Sequence, residues 1–478
     1  MSFLWYDLET FGRDPRRSRI AQFAAIRTDE DLKEIEAPIS IFCKPAADLL
    51  PSPIAALITG ITPQMAEREG VIESEFFARI AEHMGQQGTC AVGYNSLRFD
   101  DEFVRFGLYR NFRDAYEREW RNGNSRWDLL DVLRLAYALR PDALQWPKRD
   151  DGYASFKLED LALANGVREG QAHEALSDVR ALIGLARKLK DAHPRFWDYA
   201  LSLRNKRHVL GLCDVVEHTP LLHISGRFPA ERRHAALVAP LARNPKIDGR
   251  VIAFDLAMDP AEFENFDGAA LAARLYVRQA DLPEGARRLP LKEVHGNRCP
   301  AVVPLAHVRA AELSVLGLNL DEALARAAWL RAHPDFVERC VSLFSRDRND
   351  GPTDPDGDLY GGFVGDGDKR LFPRIRSAAP HELAGFASSF TDPRLPELLF
   401  RYQARNWPES LDEAQLAHWR AYLQRRFAPG SGLGELDAES VFTELAEARV
   451  RGTDGTQSEL LDAVERWIKD TLARSSER

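Results

Sequence analysis

The feature that most restricts the fold is a change of hydrophobic period along the chain. Up to residue 193, apolar alternation or short apolar runs at 3–9, 20–28, 39–44 and 89–94 have strand composition. Helical periodicity follows at 73–84, 101–109, 127–139, 158–165 and 174–190. Strands come first and helices alternate later, which predicts an α/β unit with a mixed sheet and helices packed on it. From 194 to 345 the runs shorten. Segments 220–228, 235–240, 250–256, 289–294 and 301–305 are broken by Gly, Pro and Asn, the pattern of a small β-barrel, with helices expected at 269–276 and 320–330. Residues 346–370 are rich in Asp and Gly and read as a linker, and 371–478 read as helical. Within that linker Asp354-Pro-Asp356-Gly-Asp358 resembles the start of a calcium loop. Leu359 stands where such a loop needs Gly and Gly365 where it needs Glu, so a solvated linker is the better reading. A chain of 478 residues exceeds what one core supports, and these changes of pattern supply the divisions: 1–193, 194–345, 346–370 and 371–478.

Three short acidic motifs carry chemistry. Asp7 and Glu9 are two apart on the first strand, so both point to one face. Two carboxylates so placed repel, and Trp5, Tyr6, Leu8 and Phe11 offer nothing to neutralise them; a divalent cation would. Asp100 and Asp101 follow the apolar strand at 90–94 and open a helix, where one carboxylate could face a metal and the other cap the helix. His173 and Asp178 are five apart. That spacing subtends about 140° on a helix, so the pair converges on one cleft only if His173 sits at or before the helix start.

Composition sets limits. The net charge of −9 argues against a non-specific nucleic-acid coat but not against an enzyme with a local basic groove. The five cysteines are scattered, form no Cys-x-x-Cys pair and read as reduced, buried thiols. No run approaches the roughly 18 apolar residues of a membrane span. The first residues lack the pattern of a secretory signal, so a cytoplasmic protein is expected. Between Arg98 and Arg140 lie nine arginines interleaved with aromatics, including Tyr116, Trp120 and Trp127. Basic groups among stacking platforms suit a single strand with exposed bases. Tyr116 and Trp120 are four apart and would share one helical face.

Taken in order, Asp-x-Glu on the first strand, Asp after a later strand and His-x₄-Asp on the last helix of the unit resemble the signature of DEDDh exonucleases. Longer stretches resemble bacterial exonuclease I within that superfamily: residues 7–12 (DLETFG), 21–29 (AQFAAIRTD), 57–63 (LITGITP), 98–102 (RFDDE), 124–132 (NSRWDLLDV), 204–207 (RNKR), 292–300 (KEVHGNRCP) and 399–408 (LFRYQARNWP). The resemblance runs nearly from end to end. It implies a ribonuclease-H-like exonuclease domain, a Src-homology-3-like barrel domain and a C-terminal helical domain. It implies 3′-to-5′ digestion of single-stranded DNA to 5′-mononucleotides in repair and recombination. Asp7, Glu9, Asp100 and Asp178 would hold two Mg²⁺ ions, which Mn²⁺ could replace, and His173 would be the general base. Hard oxygen donors suit such cations, and two of them about 3.5–4 Å apart can activate a water and stabilise a leaving oxygen.

Carried over residue by residue, the resemblance points to Glu9, Arg105, Tyr116, Trp120, Arg134, Lys157, Lys206, Lys292 and Asn297 as strand contacts. It points to Arg140, Tyr199 and Arg309 as a pocket for the acidic C-terminal tail of single-stranded-DNA-binding protein. Thr219 and Pro304 depart from the family's pattern of Lys and Gln there. A monomer is expected. The competing readings are a DEDDh ribonuclease or proofreading subunit, which uses the same metal site, and a non-catalytic single-strand-binding scaffold. Against the scaffold stand the clustered acids, which a binder of a polyanion would not keep.

Overall fold

The computed structural model describes residues 1–168, 174–345, 354–451 and 455–476. They form two compact units: residues 1–125, 169–181 and 350–478 in one, residues 126–168 and 182–349 in the other. The helical C-terminal region therefore shares a unit with the first sheet, although it is distant in sequence.

In the first unit the strands are β1 (Ser2–Thr10), β2 (Ile20–Thr28), β3 (Ile39–Phe42) and β4 (Thr89–Gly93), in the order β3-β2-β1-β4. β1 pairs antiparallel with β2 and parallel with β4. Leu4, Tyr6 and Leu8 point to one face, where they join Phe76, Phe77, Ile80, Phe103 and Val104 from the helices Glu73–Gly85 and Asp100–Arg110. The alternation of a strand then sends Asp7 and Glu9 to the other face. Gly107 lets these two helices approach closely, since a Cβ there would lie 1.7 Å from the Phe77 ring. A register shift between Glu9 and Thr10 ends the regular ladder just past the second acid. Such bulges re-aim side chains beside active sites.

The segment 354–370, expected as a solvated linker, is a correction. It contains the short helices Pro355–Gly357 and Asp366–Lys369. Asp356 is buried between Arg401, at 2.9 Å, and Arg405, on the helix Leu395–Asn406. Arg405 also bonds Asp48 at 2.8 Å, and Arg426 donates to the Asp48 carbonyl at 2.6 Å. The linker pattern hid this because burying a charge requires a partner, and the partners of Asp356 lie 45 and 49 residues away.

In the second unit β5 (Ser125–Asp128) extends where a helix was expected to begin at residue 127. The helix starts at Leu129 because the Asp128 side chain accepts from the Leu130 N–H at 3.1 Å and caps it. β6 (Leu221–Ile224), β7 (Ala235–Arg243), β8 (Arg250–Asp255), β9 (Leu291–His295) and β10 (Ala301–Pro304) form an antiparallel sheet in the order β10-β6-β7-β8-β9. All five cysteines are buried and none forms a disulfide. No described helix is long and apolar enough to cross a membrane.

Candidate active site

Asp7 and Glu9 from β1 meet Asp178 from the first turn of the helix Ala175–Ala192; each offers an oxygen, and these lie within 4.8 Å of one another. Neither Asp7 nor Glu9 has an ion-pair partner among the described residues. Burial first, and then Asp178, push the Asp7 carboxyl up to about 8. Burial, with Asp7, Asp178 and Asp100, pushes Glu9 up to about 9. Acids held so close at this cost are what a cation site requires, and carboxylate oxygens fit Mg²⁺ or Mn²⁺.

The structure separates the two acids that sequence left open. Asp101 is buried and accepts the Tyr6 hydroxyl at 2.8 Å and Arg118 Nη2 at 2.6 Å. It does not cap the helix, which has no side-chain cap, and its Oδ1 is already engaged by Tyr6 and Arg118. Asp100, also buried, is the one whose charge acts on Glu9, although it stands outside the tight group of three. His173 lies outside the described residues.

The expected strand contacts fall in both units. In the first, Arg105 is only 7% exposed, and Glu119 (2.7 and 2.9 Å) and Glu102 (3.0 Å) hold its guanidinium over the Tyr116 ring. Tyr116 and Trp120 do not share a helical face. A single 3₁₀ turn, Glu117–Glu119, separates them, and Trp120 has left helical backbone at φ −145°. Four residues on a turn of three per repeat do not align. Trp120 is nonetheless 65% exposed. Sequence reasoning missed Phe363, which is 86% exposed and packs 6.0 Å from Tyr116. Its signal was available: an aromatic in a Gly- and Asp-rich segment has no core to serve.

In the second unit Arg134 bonds Asp131 at 3.0 Å and lies over Phe156. Lys292 Nζ sits 4.1 Å from the Phe228 ring centre. Lys206 pairs with Asp248, while Lys157 and Asn297 are exposed. Arg140 and Arg309 converge on one carboxylate, Glu312, at 2.8 and 2.6 Å. The Tyr199 hydroxyl donates to the Val302 carbonyl at 2.8 Å, and Thr219 bonds Asp214.

A mixed sheet whose central strand presents paired acids to a third on a helix defines a carboxylate-centred, metal-dependent nuclease. Three family models match: an exonuclease domain over residues 4–186, an exonuclease I SH3-like domain over 204–346 and an exonuclease I C-terminal domain over 353–471. The chain is 43% identical to exodeoxyribonuclease I of Escherichia coli over 429 residues, 90% of each chain. It is 40% identical to the Haemophilus influenzae enzyme over 89% of this chain and 90% of that one. Exonuclease I from Methylocaldum szegediense superimposes with a TM-score of 0.93 at 41% identity, covering 98% of this chain and 99% of that one. An E. coli exonuclease I complex with a dA16 oligonucleotide gives 0.94 at 40%, with the same coverage. The chain belongs to the exonuclease I family, and it is a hydrolytic exonuclease with an SH3-like second domain and a helical C-terminus.

Proposed function

We propose that this exonuclease removes 5′-mononucleotides from the 3′ end of single-stranded DNA, using two Mg²⁺ ions. The observation that carries the reading is the convergence of Asp7, Glu9 and Asp178 within 4.8 Å. Asp7, Glu9, Asp100 and Asp178 would hold the cations. Such ions, when bound, polarise a water and stabilise the leaving oxygen. His173, five residues before Asp178, would take the water's proton; its reference pKa near 6.5 suits neutral pH. Arg105, Tyr116, Trp120, Arg134, Lys157, Lys206, Lys292 and Asn297 would seat the strand, and Phe363 joins them by its exposure. Exonuclease I from E. coli has been solved with bound oligonucleotides and in a zinc-bound form, which supports both the strand and the metal.

Arg140, Tyr199 and Arg309 would take an acidic partner tail, the carboxylate of which would compete with Glu312. We read the functional divisions at 193 and 345, and the protein as a cytoplasmic monomer, in keeping with the absence of disulfides. The test is cleavage of 3′- and 5′-labelled DNA and RNA, single- and double-stranded, with and without Mg²⁺. Asp178→Asn should remove all metal-dependent cleavage. Retained activity above a few per cent, or equal cleavage of RNA, would replace this reading with another.

A further inference from the structure

Within the first unit, the helix Glu73–Gly85, the segment after the helix Asp100–Arg110 and the helix Phe372–Ser377 border a cavity of about 470 Å³. None of the four clustered acids lines it. Five cationic side chains do, and three of them are accounted for. Lys369 bonds Asp114 at 2.6 Å, Arg121 bonds Glu117 at 2.8 Å, and Arg118 Nη2 is taken by Asp101. Arg113 and Arg376 remain. Neither guanidinium has a carboxylate at ion-pair distance among the described residues. Arg376 Nη1 donates to the carbonyl of Phe112, beside Arg113, so the two cations stand together.

Unused donors mark the same place. Arg113 Nε is buried without an acceptor. So are Arg118 Nε and Nη1, on a side chain only 3% exposed. A buried donor left without a partner destabilises the fold, so several at one cavity call for an acceptor that the chain does not supply. Burial, then the charge of Arg376, pull the Arg113 guanidinium down to about 10. An anion would reverse that repulsion.

Guanidinium forks match a tetrahedral oxyanion, each donating two parallel bonds to its oxygens. The volume exceeds what one phosphate fills and lies within the range of about 300–1,000 Å³ typical of small-ligand sites. We propose that Arg113 and Arg376 bind the phosphate of a small phosphate ester of nucleotide size, at a site separate from the carboxylate cluster. The exonuclease reading would supply such a ligand as product, but the site stands without it.

The test uses the full chain in EDTA, so that the acid cluster repels phosphate and no turnover occurs. Titration calorimetry with 5′-dAMP and with inorganic phosphate, against NaCl of matched ionic strength, should show saturable binding. Arg113→Met and Arg376→Met should each weaken it at least tenfold. Arg425→Met, on an exposed helix end, should not. Arg113→Met should melt no lower than the parent, because it removes one of two like charges; if it does, Arg113→Gln replaces it. Equal affinity for phosphate and dAMP assigns recognition to the phosphate alone, and tighter dAMP binding adds the nucleoside; either supports the site. Absence of saturable binding to about 10 mM, or an affinity unchanged in both variants, overturns it. So does an effect on a single-stranded oligonucleotide with dAMP and phosphate unaffected, which would make these arginines backbone contacts.

Discussion

The acid cluster should make the metal-free protein less stable as pH rises, and Asp7→Asn should relieve this. Asp7 lies at about 8 instead of 3.8, and Glu9 at about 9 instead of 4.5. Raised carboxyls keep in the folded state protons that the unfolded chain releases. Their contribution is therefore neutral below pH about 4 and increasingly destabilising as pH climbs to 8–9. One pH unit of difference is worth about 1.4 kcal/mol. Burial raises both acids first and their repulsion with Asp178 is shared, so the two shifts do not add in full; the pair costs on the order of 5 kcal/mol near pH 8, and removing one charge should recover roughly half. At roughly 1 kcal/mol per degree or somewhat less for a chain this long, Asp7→Asn should raise Tm by about 2–5 °C at pH 8 in EDTA. The gain should shrink as pH falls and vanish below pH about 4. Mg²⁺ should raise the Tm of the parent saturably and of the variant much less, since a ligand of the folded state stabilises it by mass action. Differential scanning fluorimetry across pH, with EDTA and with Mg²⁺, reads all of this. A variant that melts below its parent at pH 8, or a difference independent of pH, would refute the reasoning.

Three other outcomes are expected. Arg405→Met leaves Asp48 and Asp356 buried without their shared cation and should cost about 3–5 kcal/mol by urea denaturation. Burial alone would raise Asp48 and Asp356, but Arg405 and its neighbours outweigh it and hold both well below the carboxylate range. Their stabilisation is thus complete above pH about 4 and is lost on acidification, so an acid titration followed by circular dichroism should show unfolding beginning below that point. Trp120→Ala and Phe363→Ala should each weaken single-strand binding by about 1–3 kcal/mol in fluorescence anisotropy with EDTA, the usual value of one base stacked on one ring.

What was legible in the sequence was local. β2 runs over residues 20–28 as read, because its apolar run is bounded by turns and its partner strands lie close in sequence. Asp7 and Glu9 could be paired by strand period alone, whereas Asp178 joined them only through the resemblance to DEDDh exonucleases. The choice between Asp100 and Asp101 was not legible. It depends on Arg118 and Tyr6, and nothing in the order of residues shows that those side chains reach Asp101. The Tyr116–Trp120 spacing misled for a related reason. A helical period was assumed, whereas Asp114 accepts the N–H groups of Tyr116 and Glu117 and turns the chain tightly.

The same limit explains why the C-terminal helices looked like an appendage. The constellation is complete by Asp178, which suggests that later residues only add grip on the strand. Yet the end of β1 is built from both ends of the chain. Glu435 accepts the N–H groups of Arg13 and Asp14 at 2.8 and 3.1 Å, just past the bulge that follows Glu9. A Cβ on Gly12 would lie 2.2 Å from that carboxylate, so a larger residue there would push Glu435 aside. Arg426 donates to the Arg17 carbonyl at 2.9 Å and to that of Asp48, and Asp48 in turn needs Arg405. Cutting the chain near residue 193 would leave Asp48 with Arg19 alone, at 3.5 Å, and release the turn that follows β1. The helices are therefore part of the scaffold that aims Glu9, and a fragment lacking them tests folding before it tests grip.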